Sequence, residues 1–264
     1  MNELSNFSVS VIMPTFNEGG HIQDLICETA KALTTSGIQN YEIIVVDDDS
    51  PDHTWEKAAQ VSCDQPVNVR VIRRMENHGL TVSIRDGIAA AESDIVVWMD
   101  CDFSHPPEKI PQMLYMIRQG YDIVVNSRYT IGGGEDRVGK GGVVQLILSR
   151  LLNWSVRFML RPSFSDYTSG FVAVRRHVFS EFELRGDYGE YFVDFIYRAI
   201  KFGYHICELP YIAMPRRSGE SKTGTNIMQY MKRGWKYLWV VLQLRIHTGK
   251  VTKRLDKVGI ETQR

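Results

Sequence analysis

The 264-residue sequence predicts an α/β fold built on a mostly parallel sheet with helices on both of its faces. Short runs rich in Val and Ile alternate with segments of helical periodicity through the first half of the chain. These runs are apolar along their whole length, which is typical of strands buried on both faces of a parallel sheet. Polar clusters follow three of the runs, and ligands of such sheets bind beyond the carboxyl ends of the strands.

Each predicted element follows from its local pattern. Strands are expected at Ser8–Met13, Glu42–Val46, Val69–Ile72, Ile95–Met99, Asp122–Val125, Gly170–Val174 and His205–Tyr211. Helices are expected at residues 22–33, Trp55–Ser62, Leu80–Ala91, Pro107–Gln119, Val143–Leu160, Tyr191–Phe202 and Ile227–Arg245. No internal repeat divides the chain, so we expect one domain over residues 1–225 and a C-terminal amphipathic helix and tail over residues 226–264.

Composition excludes several classes of partner. Lys plus Arg and Asp plus Glu each total 31, so the chain lacks the net positive charge that would indicate a nucleic-acid partner. The four cysteines show no zinc-binding spacing and predict free thiols in a reducing compartment. The N-terminus lacks the pattern of a signal peptide. The longest apolar run near the C-terminus, Trp239–Leu242, is far shorter than the about 20 residues that a membrane-spanning helix needs.

Polar and acidic residues follow the first, second and fourth predicted strands. Asn17 and Glu18 follow the first strand, four aspartates lie within residues 47–52 after the second, and Asp100 and Asp102 follow the fourth. Because the carboxyl ends of parallel strands meet at one edge of a sheet, the three clusters are expected to face one crevice. A single acidic turn is often only a helix N-cap, and Asp52 is a candidate for that role.

The pair Asp100 and Asp102 gives the strongest indication of chemistry. On an extended segment, residues two apart project to the same side, so both carboxylates would point the same way. Two such carboxylates repel each other unless a cation lies between them, and Mg²⁺ or Mn²⁺ prefers these oxygens together with those of a diphosphate. We expect the ion to neutralise the charge that develops on a departing nucleoside diphosphate.

Other catalytic motifs are absent. No GxGxxG follows a predicted strand, and neither GxxxxGK[ST] nor GxSxG occurs, which argues against dinucleotide oxidoreductases and P-loop NTPases. The seven histidines show no ligand spacing. We interpret His105, between Ser104 and Pro106, as structural rather than as a general base.

Six segments together resemble the motifs of dolichyl-phosphate mannose synthases, which are inverting family-2 glycosyltransferases. In chain order they read PTFNE, VVDDDSPDHT, MDCDFSHPPE, SRY followed by GGG, LRPSFSDYTSGF and RRSGESKTG. The resemblance covers roughly residues 8–230, and its last three segments are the more specific to polyprenyl-phosphate enzymes. It implies the nucleotide-diphospho-sugar transferase fold of GT-A type.

The resemblance also implies roles for individual residues. The donor sugar nucleotide would be bound by Pro14, Phe16, Glu18, Asp47, Asp48, Asp100 and Ser104. The divalent metal, Mg²⁺ or Mn²⁺, would be held by Asp100, Asp102 and Ser104. The acceptor would be bound by Arg128, Ser149, Lys222 and Asp194. Catalysis would depend on Asp100, Asp102, Arg128, Arg216 and Lys222, the last two on a loop that closes over the diphosphate.

The implied reaction moves a hexose, with mannose from GDP-mannose as first choice, onto dolichyl or another polyprenyl phosphate. A phosphate monoester has a second pKa of about 6, so at neutral pH it is largely dianionic and needs no general base. The difficulty is to bring two anions together, which requires arginine, lysine and a metal ion. In-line attack would invert the anomeric configuration.

Three positions depart from the family's pattern. The family's arginine four residues before Ser149 is Gln145 here, its GLG is Gly79-Leu80-Thr81, and an acid that it writes as Glu is Asp194. Arg137 or Lys140 could supply the missing phosphate contact. These departures concern the sugar and the acceptor more than the reaction class.

Three alternatives remain open at this point. One is the transfer of glucose or an N-acetylhexosamine from a UDP-sugar to undecaprenyl phosphate. Another is a hydroxyl-acceptor family-2 enzyme, which would need a carboxylate base such as Asp194. The third is a catalytically silent binding protein, against which the retained Asp100, Asp102 and RxxGxSK pattern argue.

The predicted C-terminal helix carries Trp235 and Trp239 among basic residues, a composition that suits a membrane headgroup boundary. The same apolar stripe would equally suit core packing or a dimer interface. We expect a protein peripheral to the cytoplasmic face of a membrane, bound to the bilayer itself or to a small membrane-anchor partner.

Overall fold

The computed structural model describes residues 7–64, 66–136, 142–217 and 234–246, with backbone alone for 142–146. The strands are β1 Val9–Thr15, β2 Tyr41–Asp47, β3 Val69–Arg73, β4 Ile95–Trp98, β5 Ile123–Ser127, β6 Gly134–Glu135, β7 Val172–Arg175, β8 Ile206–Pro210 and β9 Ile212–Ala213. The helices are α1 Ile22–Thr35, α2 Thr54–Ala59, α3 Leu80–Ala90, α4 Ile110–Arg118, α5 Gly142–Met159 and α6 Glu190–Phe202. Residues 234–246 are also helical and are called α7 here.

Seven strands form one sheet in the order β3-β2-β1-β4-β7-β5-β8. The pairs β3–β2, β2–β1, β1–β4 and β5–β8 are parallel, whereas β7 runs antiparallel to both β4 and β5. The mostly parallel sheet is therefore confirmed. The short parallel pair β6–β9, which lies outside this sheet, was not predicted, because two residues carry no periodic signal.

Helices cover both faces of the sheet, as predicted. Alternate residues of each central strand enter opposite cores, so Val11 packs with α1 and α4 while Ile12 packs with α3 and α6. Both residues are fully buried. This arrangement explains why the strands are apolar at every position.

The C-terminal helix α7 contributes to the second core. Its Tyr237, Val241 and Leu244 are buried there. Tyr237 lies against the start of α6, where a Cβ at Gly189 would come within 2.1 Å of the tyrosine oxygen. The opposite side of α7 exposes Trp235 and Trp239. The predicted division at residue 225 stays a prediction, since it falls between described segments.

The cysteine prediction is wrong for two of the four residues. Cys27 on α1 and Cys63 after α2 form a disulfide with their Cα atoms 5.5 Å apart, whereas Cys101 and Cys207 are free. At a sequence separation of 36, the bonded pair gave no indication that α1 and the segment after α2 run side by side. The cysteines therefore do not favour a reducing compartment.

Among the described residues, none of the helices combines the length and the apolar character that crossing a bilayer requires.

Helix α3 lies directly on β1 because residue 87 is glycine. A Cβ there would lie 2.5 Å from Cγ2 of Ile12, a separation that side chains do not adopt. We expect Gly87→Ala to lower the free energy of unfolding by about 1–3 kcal/mol, because overpacking a filled core outweighs the better helix propensity of alanine. Gly234→Ala is the matched control, since no described atom lies within 4 Å of its Cβ position. Urea denaturation of both variants checks this, and wild-type stability of Gly87→Ala would contradict it.

Candidate active site

The carboxyl ends of β1, β2 and β4 lie at one edge of the sheet because these three strands are parallel neighbours. Thr15 at the end of β1 is opposite Asp47 at the end of β2, and the N–H of Asp48 donates to the Thr15 carbonyl. The three polar clusters predicted from the sequence therefore follow neighbouring strands at the same edge.

Two of the predicted donor-binding aspartates hold the loops of this edge together. Asp47 is fully buried and accepts hydrogen bonds from the hydroxyls of Thr15 and Ser50, at 2.7 and 2.6 Å. Asp48 accepts from the N–H of Gly79 at 2.7 Å and from the Ser83 hydroxyl at 2.8 Å, and it also pairs with Arg74. Their observed contacts position the β2 loop and the start of α3.

The PTFNE segment at the end of β1, residues 14–18, contains both buried and exposed side chains. Pro14 is half-buried, and Phe16 is 41% exposed just after the end of β1. Glu18 is buried and lies 3.0 Å from Nε2 of His21, and the same nitrogen lies 2.7 Å from the Cys101 carbonyl. The PTFNE segment is thereby joined to the loop that carries Asp100 and Asp102.

Asp52 is not the N-cap considered for it, because His53 occupies that position of α2, but its carboxylate does bind the start of the helix. Its carboxylate accepts from the N–H of Gly19 at 2.8 Å and from the N–H of Thr54 at the start of α2 at 3.1 Å. Burial raises the pKa of Asp52, but these bonds and the charge of Lys57 outweigh it, and the pKa lies below its usual value.

The loop after β4 differs from the extended segment that the sequence predicted. The strand ends at Trp98, and residues 101–105 bend, with Phe103 in the left-handed region at φ 65°. Asp100 is consequently 45% exposed at its side chain, whereas Asp102 is 4% exposed. The prediction of an extended backbone at this loop is wrong, and the two carboxylates have different environments.

Asp102 is a buried carboxylate whose charge is compensated by an arginine. Its Oδ1 accepts the N–H of Ser104 at 2.9 Å, and its Oδ2 lies 2.9 Å from Nε of Arg216. Burial would raise the pKa of Asp102, but the Arg216 charge, the nearby Ser104 hydroxyl and the hydrogen bond from the Ser104 N–H hold it below the usual value. The carboxylate is therefore ionised and requires a cation beside it.

The segment containing Arg216 is fixed to the same loop by the next residue. The Arg217 N–H donates to the Asp102 carbonyl at 3.3 Å, and its guanidinium carbon lies 3.6 Å from the Phe103 ring centroid. Nη2 of Arg217 also lies 3.0 Å from Glu28 on α1. Lys222, the other predicted cation of this segment, lies outside the described residues.

The residues here fit a hard divalent cation. The Ser104 hydroxyl oxygen is buried and has no hydrogen-bond partner in the described part of the chain, and it belongs to the loop that presents the Asp102 carboxylate. The side chain of Asp100 is 45% exposed, so its carboxylate can rotate toward a bound ligand. Over the described ranges no three His, Cys, Asp or Glu side chains form a preformed metal cluster. Mg²⁺ or Mn²⁺ would thus take its remaining ligands from water and phosphate oxygens.

His105 has the structural environment predicted for it. Its ring stacks on Phe171 with centroids 4.9 Å apart, and its Nδ1 accepts the N–H of Asp100 at 2.9 Å. The imidazole holds the start of the loop in place.

The predicted acceptor-binding residues lie in two places. Arg128 follows β5 and donates from Nε and Nη2 to Asp166, each at 2.8 Å, and from Nη2 to Thr168. Ser149 on α5 lies 3.3 Å from the hydroxyl of Tyr129, so it belongs to the same cluster. Arg137 and Lys140 are outside the described residues, as is the side chain of Gln145.

Asp194 is separate from this acceptor cluster. It lies on α6, is 8% exposed and accepts from Nε of Arg198 at 2.8 Å. Arg198 also donates to the Glu183 carbonyl, so the carboxylate is part of a buried ion pair.

Sequence reasoning missed several residues that support the site. Arg74 is buried and bridges Asp48 to Asp86, and Asp166 holds Arg128 across 38 positions. Asp166 stands within the quoted segment LRPSFSDYTSGF, which was a usable signal. His21 gave none, because its partners lie in other segments.

Comparison with known proteins is consistent with this geometry. Residues 10–182 match the model of glycosyl transferase family 2. Dolichol-phosphate mannosyltransferase of Pyrococcus furiosus is 36% identical over 239 residues, which make up 87% of this chain but only 63% of that relative. Polyprenol monophosphomannose synthase of Mycolicibacterium smegmatis is 32% identical over 228 residues, covering 84% of this chain and 83% of the relative.

The fold is also similar to that of solved glycosyltransferase structures. Glucosyl-3-phosphoglycerate synthase from Mycobacterium tuberculosis, in complex with Mn²⁺, UDP and glucosyl-3-phosphoglycerate, superposes with a TM-score of 0.66 at 19% identity. The match covers 90% of this chain and 80% of that one. The predicted GT-A fold is thereby confirmed. Since the family model extends from β1 to beyond β7 and the curated relatives cover most of the chain, this protein belongs to glycosyl transferase family 2.

Proposed function

We propose that the protein transfers a hexose, with mannose from GDP-mannose as first choice, to the phosphate of a dolichyl or other polyprenyl phosphate at a membrane surface. The observation that carries the proposal is the ionised, buried Asp102 beside the buried Ser104 hydroxyl, at the edge where β1, β2 and β4 end. Relatives named for dolichol-phosphate and polyprenol-phosphate mannosyl transfer support this choice of acceptor and sugar.

The donor diphosphate would be bound beside Asp102, and the exposed ring of Phe16 would contribute to the binding of the nucleotide. When bound there, Mg²⁺ or Mn²⁺ would neutralise charge on the departing diphosphate. Arg216 is already within 2.9 Å of Asp102, so its guanidinium is close enough to bind diphosphate oxygens once it leaves the carboxylate. Asp102 and Ser104 would hold the cation, and Arg216 would offer a second positive charge to the leaving group.

A phosphate acceptor agrees with the structure better than a hydroxyl acceptor does. The phosphate is its own nucleophile, whereas a hydroxyl requires a carboxylate base. Asp194, the base named for the hydroxyl alternative, is bound to Arg198 in a buried pair. In-line attack by the phosphate oxygen on the anomeric carbon would proceed with inversion.

Thermal shift and transfer assays test the choice of substrates. GDP-mannose, UDP-glucose and UDP-N-acetylglucosamine are compared with Mn²⁺ present and absent, followed by transfer to a short prenyl phosphate detected by mass spectrometry. GDP-mannose is expected to give the largest metal-dependent shift and a mannosyl phosphate product. A preference for either UDP-sugar supports the undecaprenyl phosphate alternative, and failure of every donor to bind contradicts the proposal.

Two exposed apolar surfaces support action at a membrane. Helix α5 exposes Ile147, Leu148, Leu151, Trp154 and Phe158, and α7 exposes Trp235, Leu238, Trp239, Leu242 and Ile246. Apolar and aromatic side chains of this kind bind the boundary between headgroups and acyl chains, or a membrane-anchored partner. Because α7 also contributes to the core, its two sides are proposed to serve stability and membrane contact separately.

Replacing Asp102 tests the metal role. Asp102→Asn keeps the shape but removes the charge, so we expect the metal-dependent turnover to fall on the order of 100-fold or more. The fold should survive, because Arg216 is 28% exposed and can reach water. Glu28→Gln is the matched control, since it breaks the adjacent exposed pair with Arg217 without touching Asp102. Steady-state kinetics over a Mn²⁺ titration measures both variants, and wild-type turnover of Asp102→Asn rules the assignment out.

Replacing the exposed tryptophans of α7 tests the membrane role. The double change Trp235→Ser and Trp239→Ser removes apolar area from the exposed side, while the buried Tyr237, Val241 and Leu244 stay in place. We expect weaker co-sedimentation with anionic liposomes and lower activity on long-chain acceptors, at an unchanged melting temperature. Tyr237→Ala, on the buried side, should instead lower the melting temperature. Unchanged liposome binding of the double variant argues against this surface.

A further inference from the structure

The guanidinium of Arg128 has its three nitrogens in different environments. Nε and Nη2 donate to Asp166, and Nη2 also donates to Thr168. Nη1 lies 3.5 Å from Oε1 of Glu135. Burial lowers the pKa of Arg128, but the charge of Asp166 more than compensates, so the guanidinium remains protonated. An incoming anion would therefore bind Arg128 through Nη1, on the side that Glu135 occupies.

One carboxylate oxygen of Glu135 contacts two of the polar residues near the predicted acceptor site, Arg128 and Tyr129. The same Oε1 that faces Arg128 accepts the hydroxyl of Tyr129 at 2.9 Å, and that hydroxyl lies 3.3 Å from the Ser149 oxygen. The Glu135 side chain is 4% exposed. Burial raises the pKa of Tyr129 to about 12, so its hydroxyl stays a hydrogen-bond donor. Arg128 and Tyr129 thus converge on one carboxylate oxygen, as donors converge on a bound phosphate, and Ser149 lies beside the tyrosine hydroxyl.

The backbone places Glu135 there through a close approach at Gly133. A Cβ at Gly133 would lie 2.6 Å from the Ser127 carbonyl oxygen and 2.9 Å from the carbonyl of Arg128. The chain therefore doubles back over the end of β5, and Glu135 then pairs with Ala213 in the β6–β9 ladder. The glycines of the GGG segment deliver this carboxylate to Arg128.

We propose that Glu135 is an internal substitute for the acceptor phosphate, so that its carboxylate must leave Arg128 before the acceptor binds. This inference rests on the proposed function, in which Arg128 and Ser149 bind the acceptor phosphate. A dianionic phosphate and a carboxylate cannot share one buried guanidinium nitrogen without strong repulsion. Acceptor affinity is then reduced by the fraction of molecules in which Glu135 holds Arg128. Glu135 is on this account a residue that sets acceptor specificity and affinity, and it takes no part in bond making.

Removing the charge of the Glu135 carboxylate is expected to increase the affinity of the protein for the acceptor phosphate. Glu135→Gln keeps the size of the side chain and frees Arg128 from its competing anion. We expect the KM for a short prenyl phosphate to fall roughly threefold or more, with the donor KM unchanged and kcat within about twofold. Calorimetric titration with the same prenyl phosphate, and with inorganic phosphate, should show the same gain. Asp136→Asn is the matched control, because it removes an equal charge from the next, exposed residue and should leave acceptor affinity unchanged.

Each outcome distinguishes this inference from the proposed function. If wild-type protein binds prenyl phosphate but Glu135→Gln binds it equally or more weakly, the carboxylate is only a structural ion-pair partner and the inference is wrong. An equal gain in Asp136→Asn means that general charge, and not the Arg128 contact, sets affinity, which also overturns it. If the wild type neither binds nor glycosylates prenyl phosphate, the proposed function itself fails. If Glu135→Gln does not fold, Glu135→Asp replaces it in the test. Its side chain is shorter by one methylene, so the carboxylate lies farther from Arg128, and the acceptor KM must still fall.

Discussion

The parallel pairing of β1 with β2 and β4 is the constraint on which the candidate site depends. It brings the loops after three strands to one edge of the sheet, although they come from positions near 16, 48 and 100 in the chain. Hydrogen bonds between the loops then fix their relative positions. His21 joins the first loop to the third, and the Asp48 N–H joins the second to the end of β1. The site is therefore held by the sheet and by polar contacts between the loops.

Buried negative charge is the second organising feature. Asp48, Asp102, Asp166 and Asp194 are all buried, and each is compensated by an arginine: Arg74, Arg216, Arg128 and Arg198, respectively. A buried carboxylate without a partner would be costly, and each arginine offsets part of that cost by lying against its carboxylate. Two of these pairs, Asp102–Arg216 and Asp166–Arg128, lie where we propose that the anionic substrates bind. We propose that a metal ion takes the place of Arg216 at Asp102, and that the acceptor phosphate takes the place of Glu135 at Arg128.

Much of the fold could be predicted because it follows from local periodicity. Strands β1 to β5 and helices α1, α3 and α6 lie within a few residues of their predicted bounds, since apolar runs and helical repeats are local signals. The acidic clusters were found for the same reason. Pairings between distant residues could not be predicted, and these include the Cys27–Cys63 disulfide and the Arg128–Asp166 pair. The bend at Phe103 was also missed, because a left-handed residue after a strand leaves no periodic trace.

We propose that Asp102 and Ser104 form a cation site, and that Arg216 compensates the charge of Asp102 in the free protein. A crystal structure with Mn²⁺ and GDP, with data collected for anomalous scattering from manganese, would test this site. We expect an anomalous peak within bonding distance of the Asp102 carboxylate, with the Arg216 guanidinium moved from Asp102 to the diphosphate. Bound GDP with Arg216 still paired to Asp102, and with no manganese peak at this loop, would contradict it.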